Sequence, residues 1–306
     1  MEHSKSATWA WKIRRIEICQ DVVTLRAESC LPIDRQKLLD RLDFERRTLA
    51  RSGELLEQFA TLTRLTSPDG SHHTIIQSAL DAQNADAAIA NEVAHYRALD
   101  IEVEWKLYQH DSPADLLNRL QSHGFEIGER ESVLVLDLLD HHDWLDTPLA
   151  HRVERVNDAA QVDVYRQTAE TIFNKDYRFT ATELLGGIEA NSSEHVGYLC
   201  FDGLIPVSIG RLYTHPQSVF GGLYGGATLP SHRGQGFYRC VTAARGRDAR
   251  AMGARFLIVD ALPTSSPIFQ KLGFVDVSQT WPCVLKRDRG MEREITSWGA
   301  SAARSA

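Results

Sequence analysis

The sequence predicts an α/β protein made of two related units, and the main evidence is a repeated order of elements. A strand, an aspartate, a short helix, a Gly-Phe pair and further strands occur once around Asp111 and again around Asp260. Gly124 and Gly273 each follow their aspartate by thirteen positions. Such self-similarity indicates a duplicated unit. The alternative is that Gly-Phe after a helix is simply a frequent C-terminal cap.

The composition is that of a water-soluble globular protein large enough for two domains. Of the 306 residues, 43% are hydrophobic and 25% are charged, and the formal charge is −7. This charge argues against a nucleic acid as the main partner and favours cationic or neutral substrates such as amines. No apolar run approaches membrane-spanning length, and five scattered cysteines without a C-x-x-C pair indicate reduced thiols. We therefore expect a cytoplasmic protein without a membrane partner.

Periodicity and turn residues place the elements of the first half. They predict an edge strand at 13–18, a helix at 33–51, a hairpin of strands 59–65 and 74–76, a helix at 85–99, a strand at 101–108, a helix at 113–122 and a strand at 132–138.

The second half follows a similar plan. The predicted order is a strand at 151–156, a helix from Asp158 to 173, a polar loop, a helix capped by Thr180, a hairpin of strands 196–201 and 204–212, a strand near 222–228, a helix from about 235, a strand at 255–260, a helix at 265–272, and strand-like pieces near 275 and at 283–285. In the helix from 235, Phe237 and Val241 fall on the predicted buried face, and Arg245 falls between the apolar positions with the exposed charges.

The most informative stretch is 222–239, where a strand turns through an Arg-Gly-x-Gly loop into a helix. Such a turn leaves several backbone N–H groups unpaired and pointing the same way, at the positive end of the helix dipole. Gly234 and Gly236 allow close approach of a ligand, and Arg233 adds a cation. The loop therefore predicts a phosphate or pyrophosphate site, although many surface turns share this short pattern. The residues of the dinucleotide and P-loop motifs are absent from the sequence.

The ordered elements of 152–286 resemble the GNAT N-acetyltransferase superfamily, whose cofactor loop follows [RQ]-x-x-G-x-[GA]. Arg233, Gly236 and Tyr238 occupy the spaced positions, with Tyr238 where the family usually has Gly or Ala. The stretch Lys271-Leu-Gly-Phe274 also resembles a common family ending. The resemblance implies two tandem GNAT-like domains, each a mixed, mostly antiparallel sheet flanked by helices.

The resemblance further implies acetyl-CoA as the acyl donor, with direct attack by an amine in a ternary complex. Backbone N–H groups of the central strand would hold the pantetheine arm and polarise the thioester, and the loop would hold the pyrophosphate. The residues expected to bind the cofactor are Ala227, Thr228, Leu229, Arg233, Gly234, Gln235, Gly236, Phe237, Tyr238, Ser265, Ser266 and Phe269. Helix capping alone would also explain the two serines.

The acid and base of such a reaction are less evident. Phe269 stands where many family members carry a proton-donating Tyr, and Gly222 is nearest to the position of a catalytic Glu in others. Tyr224, two residues on and facing the same side, and Asp260, at the end of a strand, are the catalytic candidates. For Asp260 the alternative is a cap for the following turn, as Asp111 in the other copy suggests.

The loop between the first two helices of this copy forms one wall of the acceptor site in the family. Tyr177, Arg178 and Phe179 are therefore candidate substrate contacts, or alternatively the edge of a packed loop.

The first copy lacks the cofactor loop. Residues 81–86, before its main helix, contain two acids and no glycine, and such carboxylates would cap the helix and repel a phosphate. The predicted organisation is a degenerate GNAT-like domain at 1–140, a linker at 141–151, an acetyltransferase domain at 152–288 and a flexible tail at 289–306. The Asp-His-His-Asp run at 140–143 could bind a metal, but acids and imidazoles in a polar linker are usually solvated, so we expect no metal.

The leading hypothesis is an acyl-CoA-dependent N-acyltransferase, a monomer or homodimer, that acts on a small-molecule amine. A non-catalytic acyl-CoA-binding or sensing protein is the alternative, suggested by Phe269 and the missing Glu. A third hypothesis, an interaction scaffold that binds no cofactor, is disfavoured by the intact Arg-Gly-x-Gly loop.

Overall fold

A computed structural model describes residues 34–287 of the chain. The predicted strand at 13–18 and the predicted tail at 289–306 lie outside the described residues. The helices are α1 (Arg35–Thr48), α2 (Ala85–Ala98), α3 (Leu116–Ser122), α4 (Asp143–Asp146), α5 (Ala159–Phe173), α6 (Arg178–Glu189), α7 (Phe237–Ala251) and α8 (Ser266–Lys271). The strands are β1 (Leu55–Gln58), β2 (Leu62–Thr66), β3 (His73–Ser78), β4 (Val103–Tyr108), β5 (Glu126–Ile127), β6 (Glu131–Asp137), β7 (Arg152–Arg155), β8 (His195–Asp202), β9 (Ile205–Tyr213), β10 (Phe220–Thr228), β11 (Phe256–Ala261) and β12 (Val275–Leu285).

The chain forms two compact units whose segments are interleaved. Among the described residues, unit 1 comprises 34–41 and 133–277, and unit 2 comprises 42–132 and 278–287. The domain boundaries predicted from the sequence divide the chain into two copies, one after the other. That division stays a prediction. The compact units are a different division, because each of them takes a segment from both halves of the chain.

Unit 2 contains a mixed sheet in the order β1-β2-β3-β4-β12, with β5 also paired to β12. The predicted hairpin is present as β2 and β3, which pair antiparallel, whereas β3 and β4 pair parallel. Strand β12 is continuous, although two pieces were expected from the sequence, and its residues Thr280–Leu285 pair antiparallel with β4. The core beneath this sheet includes Ile89, Trp105, Leu120, Phe125 and Cys283.

Unit 1 contains the sheet order β6-β11-β10-β9-β8-β7. Strands β7 to β10 pair antiparallel in succession, and β10 pairs parallel with β11. A cluster with residues from α5 and α6, including Tyr165 and Leu184, covers one face. A larger cluster with residues from α4, α7 and α8, including Leu145, Val241 and Phe269, covers the other face. The predicted α/β class, with a mixed and mostly antiparallel sheet flanked by helices, is confirmed.

Local signals set the start of α5 as the sequence predicts. Asp158 is extended and its carboxylate accepts a hydrogen bond from the Gln161 amide at 2.8 Å, while the Gln161 side chain accepts from the Asn157 amide at 2.7 Å. This reciprocal arrangement satisfies N–H groups that the first helical turn would otherwise leave unpaired.

The start of α6 differs from the prediction. The helix begins at Arg178, so Thr180 lies inside it and is buried rather than capping it. The Asp176 carboxylate accepts from the Arg178 amide at 2.8 Å and pairs with its guanidinium. This pair supplies an acceptor at the helix start, which makes a cap at Thr180 unnecessary. Arg178 and Phe179 therefore belong to the first helical turn and not to the preceding loop.

The stretch predicted as a linker contains the short helix α4. Its Trp144 and Leu145 are buried in the core of unit 1, and the Trp144 indole donates to the Leu272 carbonyl at 2.8 Å. His141 in the same stretch is exposed and pairs with Asp143 and Asp146. No helix within residues 34–287 is long and apolar enough to cross a bilayer.

Candidate functional site

The central strands of unit 1 separate part-way along their length. β10 and β11 are paired only from Phe220 to Gly222, opposite Phe256 to Ile258, although both strands continue for several residues. On its other side β10 stays paired with β9 as far as Thr228, with a β-bulge between Tyr224 and Ala227. Within the bulge Gly225 has a φ of 55°, a conformation that favours glycine. The second half of β10 therefore presents one edge that no strand within residues 34–287 covers.

Hydrogen bonds at the end of β10 show which groups this edge offers. The Leu229 amide donates to the Val207 carbonyl at 2.8 Å and so points toward β9. Because successive amides of a strand point to opposite edges, the Thr228 amide lies on the open edge. The Thr228 carbonyl accepts from Arg233 Nε at 3.3 Å, which holds the arginine beside that edge.

The loop after β10 ends in a set of unpaired amides. A short 3₁₀ turn, Pro230–His232, leads to Gly234 and Gly236, which have φ of 75° and 90°. Helix α7 begins at Phe237, two residues after the predicted start, and no side chain in the described part of the chain caps it. Among the described residues, none accepts a hydrogen bond from the backbone amides of Gly234, Gln235, Gly236, Phe237 or Tyr238. These amides and the helix dipole form a group of donors that suits an anion.

An imidazole that the sequence did not single out supports this loop. His151, directly before β7, contacts the Gln235 carbonyl through Nε2 at 2.9 Å. Its ring stacks on the buried Phe237 ring, with centroids 3.9 Å apart. No motif marks His151, because its partners lie more than eighty positions away in the sequence.

Helix α7 carries a buried arginine beneath the bulge, which corrects the prediction that Arg245 is exposed. The residue is only 1% exposed, and burial lowers its pKa. Its guanidinium donates to the carbonyls of Arg211 at 3.2 Å, Tyr224 at 3.4 Å and Val241 at 3.3 Å. It also lies 2.8 Å from the point where a Cβ of Gly210 would stand. Arg245 thus donates to a carbonyl of each strand beside the bulge, Arg211 in β9 and Tyr224 in β10.

The face of the sheet under α5 and α6 holds both catalytic candidates. Leu223, Val259 and Ala261 pack into the core on the α7 side, so by alternation Tyr224 and Asp260 point to the opposite face. Tyr224 is 49% exposed, and its ring lies over Gly222, where a Cβ would come within 2.7 Å of it. Its position on the same side as Gly222 agrees with the expectation from the sequence.

Polar side chains next to Tyr224 were not foreseen. The rings of Tyr213 and Tyr224 meet edge to face, with centroids 4.8 Å apart. Arg211 donates to the Tyr213 hydroxyl at 3.0 Å and lies 3.6 Å from a Glu183 carboxylate oxygen. The residues come from α6 and β9, and only the alternation of β9 could have indicated that Arg211 and Tyr213 share a face.

The other predicted site residues lie around these features. The half-buried Tyr177 stacks on Phe173 at 5.2 Å, and burial raises its pKa. Arg178 is exposed and paired with Asp176. At the other end of the site, the Ser265 hydroxyl donates to the Leu262 carbonyl at 3.2 Å, and Ser266 is buried at the start of α8. Phe269 is 2% exposed.

Comparison with known proteins identifies the fold. No protein-family model matches the sequence, and no curated protein does. Among solved structures, a GCN5-related N-acetyltransferase from Kribbella flavida is similar with a TM-score of 0.59, 16% identity, and coverage of 85% of this chain and 97% of that chain. A tandem GNAT protein from the clavulanic acid biosynthesis pathway is similar with a TM-score of 0.52 and 12% identity, and the match covers 91% of this chain and 96% of that chain. A GCN5-related N-acetyltransferase from Sphaerobacter thermophilus is similar with a TM-score of 0.51 and 11% identity, and the match covers 90% of this chain and 92% of that chain. The chain has the GNAT fold.

Unit 2 has an acidic side chain directly before its helix α2. The Asp81 carboxylate accepts hydrogen bonds from the amides of Gln83 at 2.8 Å and Asn84 at 2.9 Å, directly before α2. In unit 1, the amides of 234–238 around the start of α7 have no such partner among the described residues. An anion at Asp81 would meet a carboxylate in place of free donors.

A group of metal-binding residue types also occurs in unit 2. Asp43, His110 and Asp111 offer ligand atoms within 4.8 Å of one another. The buried Arg46 lies between the two carboxylates, 2.8 Å from Asp43 and 3.4 Å from Asp111. The Asp111 carboxylate also accepts from the Tyr108 amide at 2.8 Å. Arg46 thus already provides the positive charge that these carboxylates face.

Proposed function

We propose that the protein is an acyl-CoA-dependent N-acyltransferase that transfers acetyl from acetyl-CoA to a small-molecule amine. The observation that carries the proposal is the meeting of two features in unit 1: the open edge of β10 and the unpaired amides at 234–238. Together they offer the Thr228 amide on the edge of a bulged strand and five unpaired amides at a helix N-terminus. The tandem arrangement, with a first copy that lacks a cofactor site, is part of the proposal, and the acceptor carboxylate at Asp81 supports it.

The residues of the loop fit a CoA diphosphate by charge and by space. Five amides and the dipole of α7 would bind the phosphate oxygens. A Cβ at Gly234 would meet nothing within 4 Å, so the approach to the loop is unobstructed at that point. The exposed Arg233 lies close enough to Thr228 to add its charge. Ala227 and Thr228 would bind the pantetheine arm, with the Thr228 amide as the donor, since Leu229 donates to β9. Ser265 and Ser266 would flank that arm.

Bound acetyl-CoA supplies an activated thioester whose carbonyl accepts attack by an amine. Amides of the bulged strand would bind that carbonyl and would stabilise the negative charge that develops on oxygen. Tyr224 and Asp260, on the acceptor face, would orient the amine and take up its proton. Tyr177, Arg178 and Phe179 would form the far wall of the acceptor site.

Two measurements test this function. Calorimetry with CoA reports binding, and release of free thiol from acetyl-CoA with a panel of small amines reports turnover. We expect Arg233→Glu to abolish CoA binding, because it replaces a cation at the loop with an anion. Arg47→Glu, an exposed position of unit 2, makes the same change in net charge and should leave the affinity unchanged. Affinity that survives Arg233→Glu would show that the cofactor is placed incorrectly.

Two observations favour a second function, that of a non-catalytic acyl-CoA-binding or sensing protein. Phe269 is buried and has no proton to give, and Gly222 has no carboxylate. Heat of CoA binding without thiol release in the presence of any amine would support the sensor over the enzyme. Absence of binding would contradict both.

A further inference from the structure

Arg245 is a buried cation that pairs with no carboxylate of the described residues. Its guanidinium donates to three backbone carbonyls and to the Thr242 hydroxyl at 3.2 Å, all of which are neutral groups. The acid of the same helix, Asp248, pairs instead with Arg155 at 2.6 Å and accepts from the Tyr198 hydroxyl at 2.5 Å. Burying a charge is costly unless an opposite charge compensates it. Arg245 therefore carries a positive charge that its surroundings do not neutralise.

Two other buried arginines are compensated in the usual way. Arg255 lies 3.1 Å from the carboxylate of Asp137, which is also buried. Arg46 lies 3.4 Å from the buried carboxylate of Asp111. The protein thus supplies an acid to each of these guanidinium groups. Arg245 differs from both, and it lies at the bulge of the proposed active site.

The contacts of Arg245 define which peptide group it affects. Its Nη1 donates to the Tyr224 carbonyl at 3.4 Å, and its Nη2 lies 3.1 Å from the point where a Cβ of Gly226 would stand. The peptide bond between Tyr224 and Gly225 is trans, because the cis bond found within residues 34–287 is Ser112–Pro113. In a trans peptide the N–H points opposite to the carbonyl. The Gly225 amide therefore points away from Arg245.

A cation at the carbonyl end of a peptide changes the hydrogen bonding of its amide. The cation polarises the whole group, so that the N–H becomes a stronger donor. Low dielectric in the protein interior strengthens this effect, because water does not screen the charge. An oxygen that gains negative charge opposite the Gly225 amide would therefore be stabilised more than one at an ordinary strand amide.

We propose that Arg245 is a positioning residue of the acyl transfer, and that its charge strengthens the Gly225 amide as a donor to the thioester oxygen. The proposal rests on the proposed acyltransferase function. The amine lone pair forms the carbon–nitrogen bond while the carbonyl π electrons move onto oxygen, where the amide and the cation stabilise them. Those electrons then re-form the carbonyl as the carbon–sulfur bond breaks. Sulfur leaves with the bonding pair, and the nitrogen gives its proton to solvent.

Two variants separate the charge of Arg245 from its hydrogen bonds. Arg245→Gln keeps an N–H donor and removes the charge, so we expect kcat with acetyl-CoA and the best amine of the panel to fall by about 20-fold. Arg245→Lys keeps the charge, and we expect it to retain at least a third of the wild-type kcat. The dissociation constant of CoA, measured by calorimetry, should change less than twofold in both, because CoA without an acyl group has no thioester oxygen.

Arg250→Gln is the matched control. It removes the same charge from an exposed position on the last turn of α7 and should leave kcat unchanged. Circular dichroism gives the folded fraction of each variant, and kcat is expressed per folded molecule.

Infrared spectroscopy of the wild-type complex gives a second readout that needs no substitution. Acetyl-CoA with an isotopic label at the thioester carbonyl, bound without amine, should show its carbonyl stretch at a lower frequency than in water. The reason is that a donor polarised by a buried cation draws more electron density from the oxygen than water does. A stretch at the frequency found in water would contradict the role of Arg245, even if Arg245→Gln does not fold.

The kinetic outcomes differ for a charge and for a purely structural contact. Loss of kcat in Arg245→Gln, with retention in Arg245→Lys and constant CoA affinity, supports the role of the charge. Equal losses of kcat in both variants would mean that hydrogen-bond geometry matters and the charge does not, which overturns the assignment. An unchanged kcat in Arg245→Gln overturns it as well and leaves the acyltransferase function intact. Absence of thiol release by the wild-type protein would refute the reaction itself, and this role with it.

Discussion

Arg245 is the residue on which the geometry of the bulge depends. It is fully buried and donates to carbonyls of three different elements, namely β9, β10 and α7. Replacing it by Met would remove the side-chain donor from the buried Arg211 and Tyr224 carbonyls, at about 1–3 kcal/mol for each group, whereas the Val241 carbonyl keeps its intrahelical partner. Partial relaxation should limit the total, so we predict that Arg245→Met lowers the free energy of unfolding by about 3 kcal/mol, measured by urea denaturation.

An arginine on the same helix serves as the control. Arg239 is exposed, and Arg239→Met should change the free energy of unfolding by no more than about 0.5 kcal/mol. If the two substitutions cost the same, the hydrogen bonds of Arg245 do not stabilise the bulge and the cost arises from the helix itself.

His151 should affect cofactor affinity through the loop alone. His151→Ala removes the contact with the Gln235 carbonyl and the stack on Phe237, so the loop would lose part of its preorganisation. A contact worth about 1 kcal/mol corresponds to roughly fivefold weaker CoA binding in calorimetry. His72→Ala, an exposed histidine of unit 2, is the matched control. Equal affinities for the two variants would mean that the loop is rigid without His151.

The loop and Arg245 differ in how much of the site the sequence could predict. The Arg-Gly-x-Gly loop was recognisable because its glycines and its cation are consecutive in the chain. The prediction for Arg245 was wrong because a helical pattern assigns arginine to the exposed face, whereas two of its partners are the carbonyls of Arg211 and Tyr224 beside the β-bulge. A local sequence pattern does not indicate where a β-bulge will place backbone carbonyls next to a helix. The burial of Arg245 is therefore evident only in the assembled sheet.

At the level of elements, the cap of α5 is the clearest case in which local sequence fixes a boundary. Asp158→Ala removes the acceptor for the Gln161 amide, and we predict a loss of about 1 kcal/mol in the free energy of unfolding. Asp158→Asn keeps a side-chain oxygen at the same place and should cost only a few tenths of a kcal/mol by the same ranking. Urea denaturation of both variants gives the comparison, and similar losses would mean that charge, rather than the hydrogen bond, is what matters.

Other boundaries were set by competing contacts. Thr180 has the residue type of a cap, yet the Asp176–Arg178 pair starts α6 two residues earlier. Strand β12 was expected as two pieces because polar residues and Pro282 interrupt its apolar pattern. It is continuous because β4 pairs with it from Thr280 to Leu285, about 175 positions away in the sequence. A partner so distant leaves no trace in a local pattern.

At the level of the whole molecule, two cysteines report separately on the two units. Burial raises the pKa of Cys200 in unit 1 to about 12, and burial also raises the pKa of Cys283 in unit 2 to about 12. At pH 8 the reactive thiolate would then be about one part in ten thousand of each thiol. We predict that iodoacetamide leaves both sites unmodified in the folded protein and modifies both in urea, where the pKa returns to about 8.5. Peptide mass spectrometry assigns the sites, and labelling of either one in the folded protein would show that its unit opens readily.

The interleaved segments lead to a last prediction about where the chain can be divided. A fragment of residues 34–140 follows the boundary that the sequence suggests, but it lacks 278–287 and therefore the strand that pairs with β4. Without β12, six residues of β4 lose their partners and Cys283 and Leu285 are missing from the core that contains Trp105. We expect this fragment to show no cooperative thermal transition in circular dichroism, because an uncovered apolar strand edge also favours aggregation. The same fragment with 278–287 joined through a flexible linker should regain a transition. A cooperative transition in the shorter fragment would show that unit 2 does not need β12.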